Sequence, residues 1–175
     1  VQSDYRGYMD DGDRVDIDSF TVRRARLGIE ANVLKYYEFR FLPDFGVGQA
    51  RIQDAYFNLH YWDSFQVEAG KFKQPFSYEQ LIQDRFVPFM ERSLIDQLVP
   101  ARDVGLMLHG QKLFDDRFDW GLSVSNGERD GDTDTNDYKD AAFRVAVRPF
   151  RQAEALPLLQ RLQLGFAVTT GVQQE

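Results

Sequence analysis

GKFKQPFSYEQLIQDRFVPFMERSLIDQLVPARDVGLMLHG, residues 70–110, runs from the end of one alternating segment, near Phe72, to the start of another, near Val104. The residues between, 73–102, far outnumber the roughly two to five that join an ordinary hairpin. Connections of that length are functional or disordered. Disorder does not fit the apolar content here: Phe76, Tyr78, Leu81, Ile82, Phe86, Phe89, Met90, Leu94, Ile95 and Leu98 all need a surface to pack on. The charges balance, with Lys71, Lys73, Arg85, Arg92 and Arg102 against Glu79, Asp84, Glu91, Asp96 and Asp103. The stretch therefore predicts strand, long connection folded back onto the protein, strand, with at most one short helical turn at 79–82.

Outward from it, period-two alternation marks about nine strands. After a short candidate at 5–8, residues 20–33 place Ala25, Leu27, Ile29 and Ala31 on one face and Arg24, Arg26, Gly28 and Glu30 on the other. Tyr37, Phe39 and Phe41 then oppose Glu38 and Arg40; Ala55, Phe57 and Leu59 oppose Asp54, Tyr56 and Asn58; Val67 and Ala69 oppose Gln66 and Glu68. Beyond the long connection, Leu106 and Leu108 oppose Met107 and His109, Leu122 and Val124 oppose Ser123 and Ser125, and Phe143, Val145 and Val147 oppose Arg144, Ala146 and Arg148. A last strand spans 162–168.

The connections alternate too, long then short. In a transmembrane barrel this is the asymmetry between long loops on one side and short turns on the other. Tyr36, Tyr37, Tyr61, Trp62, Phe65, Phe114, Phe118 and Trp120 crowd the short turns, as an aromatic girdle at a membrane interface would. No run approaches the ~18 apolar residues of a spanning helix, a test that a barrel escapes because its alternating strands average out as hydrophilic. The expected fold is all-β, a transmembrane antiparallel β-barrel. The alternative of another class is a soluble or surface β-sandwich that binds ligands with 73–102. Residues 152–160 are too long for a short turn and fit no part of the pattern.

Other chemistry is sparse. The chain has no cysteine, hence no disulfide framework or thiolate metal site. His60 and His109 lie on separate strands, and no metal or cofactor is expected. Asp130, Asp132 and Asp134 are spaced by two, but Gly131 and the lack of a closing glutamate break a calcium-loop pattern, which leaves a solvated loop at 126–140. Paired carboxylates such as Asp10-Asp11 and Asp115-Asp116 fall in turns, where Asp serves the backbone. No nucleophile elbow or phosphate loop appears, so an enzyme is not expected. The net charge of −7 argues against nucleic acid. Residues 1–4 carry no signal-peptide character, so the chain is expected to be mature, a fragment, or cytoplasmic.

Several strings, in order, resemble the phosphate-selective porin family: Arg23-Arg24-Ala25-Arg26-Leu27, Glu38-Phe39-Arg40-Phe41, Asp54-Ala55-Tyr56-Phe57, Gly70-Lys71-Phe72-Lys73-Gln74-Pro75-Phe76, Glu91-Arg92-Ser93-Leu94, Pro100-Ala101-Arg102-Asp103-Val104-Gly105 and Asn126-Gly127. The resemblance implies a homotrimeric channel in the bacterial outer membrane, in contact with its lipid, for small anions such as phosphate. It also implies a porin barrel of about sixteen strands, of which this chain, as a single partial domain over 1–175, would be the N-terminal half. Residues 73–102 would then be the inward-folded constriction loop, lying within reach of Arg24, Arg26 and Arg40.

A water-filled pore selects by the charges lining it, and arginine suits phosphate because its fork is planar and always charged. The polar strand faces supply Arg24, Arg26, Arg40, Arg144 and Arg148, and the connection supplies Lys73, Arg85, Arg92 and Arg102. The expected anion-binding residues are Arg24, Arg26, Arg40, Lys73, Arg85, Arg92 and Arg102, with the Arg24 and Arg26 pair foremost. Should Glu30, Glu38, Asp44, Asp54 and Glu68 neutralise them, the channel would be an unselective general diffusion porin.

Overall fold

The computed structural model describes residues 2–6, 19–82, 92–128, 137–153 and 157–171. Among these residues there are ten strands: β1 (Gln2–Arg6), β2 (Ser19–Arg24), β3 (Ile29–Val33), β4 (Tyr37–Asp44), β5 (Arg51–Trp62), β6 (Phe65–Lys73), β7 (Arg102–Lys112), β8 (Phe118–Ser125), β9 (Asp140–Val147) and β10 (Leu164–Thr170). From β3 to β10 they form one open antiparallel sheet in chain order, and β1 pairs with β2 in a separate two-stranded sheet.

The count is ten and not nine because the strand expected at 20–33 is divided. The side chain of Asp44 takes over where the ladder breaks. Its Oδ1 accepts from the Ala25 and Gly46 amides, each at 3.0 Å, and its Oδ2 accepts from Arg26 Nε at 2.8 Å. Backbone bonds continue on either side, from Phe45 N to Ala25 O at 2.9 Å and from Leu27 N to Pro43 O at 3.3 Å. The chain thus bends at 25–28 while still following β4.

The large sheet is inverted relative to a soluble protein. Among the described residues only Phe72, Ala101, Met107, Ala142 and Ala146 are buried apolar side chains, whereas thirteen polar or charged ones are buried, Asp54, Asn58, Glu68, Asp103, His109 and Ser123 among them. The register explains this. Ser123 pairs with Met107 and Ala142, and Glu68 with Asn58 and Met107, so the buried positions, polar and small or flexible apolar alike, fall side by side on the concave face. The opposite face carries Leu27, Ile29, Phe39, Phe41, Leu122, Val124 and Val147, all exposed, with Phe57, Leu59, Val67 and Val145 half-buried between neighbours. No second sheet covers that face among the described residues. An exposed apolar surface of this extent marks a face that meets a membrane or another protein, and lipid is what the outward face of a transmembrane barrel meets.

The two edges of the sheet differ as the connection lengths predict. On one edge lie residues 34–36, 63–64 and 113–117. Leu34 and Lys35 both take left-handed φ, 51° and 66°, the pair of positive φ values that matches a two-residue hairpin turn to strand twist. The aromatics gather here. Tyr36 and Tyr61 have ring centroids 4.6 Å apart, Tyr61 and Trp62 4.7 Å, and Phe65 and Trp120 6.2 Å. Trp120 Nε1 also donates to Ser64 O at 3.3 Å.

The segment after β9, which the sequence pattern left unexplained, docks on this edge. Arg148 reaches Asp119 at 2.6 Å and Asp116 at 3.1 Å, Arg151 reaches Asp116 at 2.8 Å, and Gln152 Nε2 donates to Asp115 O at 3.2 Å. Asp115 and Asp116 have positive φ. Their carboxylate and carbonyl oxygens, turned out by that conformation, are what the two arginines and Gln152 engage.

Candidate functional site

The concave face and the long connection meet above β7, β8 and β9. Gln74 starts the connection by donating its backbone N–H to Ala101 O at 2.8 Å, which closes the base of the loop. Its buried side chain accepts from Ser123 Oγ at 2.6 Å. Pro75 follows against Gly121, where an added Cβ would stand 3.0 Å from the proline ring. Arg144 Nη1 then donates to Phe76 O at 2.9 Å. On β6, Gly70 has a φ of +123°, and a Cβ there would stand 2.3 Å from Ala55 O, so a glycine is required just before the strand runs into the loop.

Beyond the short helix α1 (Tyr78–Leu81), the two described flanks of the loop are stapled to each other. Glu79 accepts from Ser93 N at 2.7 Å and from Ser93 Oγ at 2.6 Å. These bonds, the hydroxyl's first and then the amide's, hold the Glu79 carboxyl below the usual carboxylate range. Buried Gln80 donates to Asp96 Oδ2 at 2.8 Å and accepts from Arg92 Nη1 at 2.9 Å. The Ile82 carbonyl accepts from Lys73 Nζ at 3.1 Å and from Arg92 Nη2 at 3.4 Å.

The residues expected to bind anions are thus dispersed. Lys73 and Arg92 hold the loop. Arg40 and Arg102 share the buried carboxylate of Asp54: Arg102 Nε lies 2.7 Å from Oδ1, Arg40 Nε 3.3 Å from Oδ2, and Arg40 Nη1 also sits 3.5 Å from Glu30. Arg24 ends β2, whereas Arg26 lies in the bend, bound to Asp44. The two do not share one strand, as the alternation suggested. Arg85 lies outside the described residues. The described flanks of the loop contact β8 and β9, and Arg102 links the end of the loop to Arg40 through Asp54.

Among the arginines of the polar strand faces, Arg144 differs from Arg26, Arg40 and Arg148, and it is not one of the residues expected to bind anions. Arg144, on the concave face of β9, has a backbone carbonyl as its hydrogen-bond partner, and no carboxylate lies within ion-pair distance among the described residues. Arg148, four residues on, is held by Asp116 and Asp119. Arg144 borders a cavity of about 370 Å³ whose other walls come from the loop (Pro75, Tyr78, Leu81, Ile82) and the sheet (Met107, His109, Gly121). His109 Nε2 lies 3.6 Å from Glu68 Oε2 there, both side chains buried. Past Arg148 the surface turns basic, in a cleft of about 440 Å³ lined by Lys112, Arg151 and Arg161 as well as Asp116 and Asp119. At the long-loop end a third cavity, about 500 Å³, is acidic, with Asp103, Glu128 and Asp140.

Among the described residues no cluster of His, Cys, Asp or Glu could hold a metal ion, and no helix is long and apolar enough to cross a membrane, which says nothing of strands. The family model described as phosphate-selective porin O and P matches residues 1–165. No curated protein and no solved structure matches the chain.

Proposed function

The chain belongs to the phosphate-selective porin O and P family, and from that membership we propose that it forms part of the wall of a water-filled outer-membrane channel for small anions, one subunit of a homotrimer. Residues 73–102 fold inward as the constriction, and Arg144 is the group on which an anion dwells. The observation that carries this reading is the state of the lumen arginines. Arg40, Arg102 and Arg148 each have a carboxylate, but Arg144 offers its guanidinium beside a cavity with a carbonyl as its partner. A positive charge without a carboxylate on a polar, partly dry wall lowers the barrier for an anion shedding its hydration shell.

The test is single-channel recording of the full-length protein in planar bilayers. Added phosphate should reduce the small-ion current, and Arg144→Ala should remove that block and move reversal potentials toward cations, while Arg144→Lys keeps most of both. An Arg144→Ala channel with the parent's block and anion preference would send the site elsewhere.

A second reading, an unselective diffusion pore, is favoured by the carboxylates on Arg40, Arg102 and Arg148. It predicts reversal potentials near zero in the parent protein.

A further inference from the structure

Part of the cavity that Arg144 borders is apolar. Leu81 and Ile82 from the end of α1, the ring of Pro75, and Met107 from β7 line the same cavity as the guanidinium. An inorganic anion gains nothing from such a wall, since losing water against hydrocarbon costs it hydration without return. An anion with an apolar body gains on both sides. Its head meets a guanidinium, and its body removes the apolar side chains from water at about 25 cal/mol per Å². The cavity, about 370 Å³, lies within the ~300–1,000 Å³ usual for small-molecule sites, which combine apolar surface with placed polar groups; here Glu68, His109, Gln111, Asp119, Arg148 and Gln163 line it beside Arg144.

Resting on the anion-channel reading above, we infer that the cavity under the long connection takes organic anions, with the charged head on Arg144 and the apolar body against Leu81, Ile82 and Met107. Two carboxylates also line the cavity: Asp119 is held by Arg148 at 2.6 Å, and Glu68 lies 3.6 Å from His109. Tyr78, at the start of α1, adds a further aromatic edge to the same space.

The probes are benzoate and acetate, two monocarboxylates that differ in their apolar body, each added to chloride current through the full-length channel. Benzoate should reduce the current at about tenfold lower concentration than acetate, the effect of roughly 1.4 kcal/mol of apolar burial. Leu81→Ser, a change at a partly exposed loop position that leaves the sheet intact, should bring benzoate to the level of acetate without altering acetate. Arg144→Gln should weaken both.

Equal potency of benzoate and acetate in the parent, with Arg144→Gln still weakening both, would overturn this inference and leave the channel reading standing. Indifference of both anions to Arg144→Gln would overturn the two together. Retention of the benzoate preference in Leu81→Ser and also in Ile82→Ser would place the apolar body elsewhere, and the inference would fall.

Discussion

Arg102 donates from Nε to Asp54 Oδ1 at 2.7 Å, and this bond ties the far end of the long connection to a strand on the other side of β6. Asp54 is nearly buried and is shared with Arg40. One carboxylate thus serves two guanidinium groups, and the trio keeps a net positive charge while neither arginine is free to meet an anion fully. Replacing Asp54 with Asn removes the charge at nearly constant shape. Reversal potentials should shift toward anions, and stability should fall by about 1–3 kcal/mol as one charged donor loses its acceptor and the other keeps only a neutral one. Recording and denaturant titration of the same variant check both halves. A shift toward cations would mean that Arg40 and Arg102 do not face the conducting path.

The outward face makes a depth-dependent prediction. Leu122 is exposed at the middle of β8. In hydrocarbon, lysine at that point should cost about 2–4 kcal/mol if it lies near the bilayer midplane, measured as loss of folding stability in lipid vesicles. The same substitution at an exposed position of a water-facing sheet would cost a few tenths. A small loss at Leu122 would mean that this face meets water or protein.

Alternation made the sheet legible, because the face of Leu122 and Val124 against that of Ser123 and Ser125 depends only on a period of two. The girdle residues could be read from their crowding at short turns. The bend at 25–28 could not, since it rests on the Asp44 side chain reaching Ala25 and Arg26 on the neighbouring segment. The same holds for the site. Arg40 and Arg144 look alike as inward residues of alternating strands; what separates them is the register that sets Arg40 opposite Glu30 and Tyr56 and leaves Arg144 opposite Gly121 and Ala167. Registers between distant segments are tertiary facts. The docking of Arg148 and Arg151 on Asp116 was hidden likewise, because it needs a left-handed turn whose residues, Phe114-Asp115-Asp116, give no glycine signal.

Arg26 provides the contrast to Arg144. Its bond to Asp44 at 2.8 Å sits where the ladder is broken, so its role is to hold the bend. Arg26→Ala should lower stability by about 1–3 kcal/mol, the range for a hydrogen bond between charged groups, and should leave phosphate block and reversal potential at parental values. Loss of block with unchanged stability would restore Arg26 to the anion path.

The last expectation concerns acid. Glu79 and Ser93 close the described flanks of the loop on each other through two bonds to one carboxylate, and those bonds hold its pKa down. A carboxyl whose pKa is lower folded than unfolded contributes stability above the unfolded value, about 4.3 for glutamate, and loses it as pH falls through the folded value. The clamp should therefore stay closed through the neutral and mildly acid range and open only below the usual carboxylate range. If the loop is the constriction, single-channel current should be quiet through the neutral and mildly acid range and fluctuate only below the usual carboxylate range. Glu79→Gln, which lacks the charge, should fluctuate already at neutral pH and lose the acid dependence. Ser93→Ala removes the hydroxyl bond but keeps the amide bond, and should move the onset of fluctuation to higher pH, toward the value of a free glutamate. Quiet current at every pH in Glu79→Gln would show that the loop is held shut by the Gln80, Asp96 and Arg92 cluster alone.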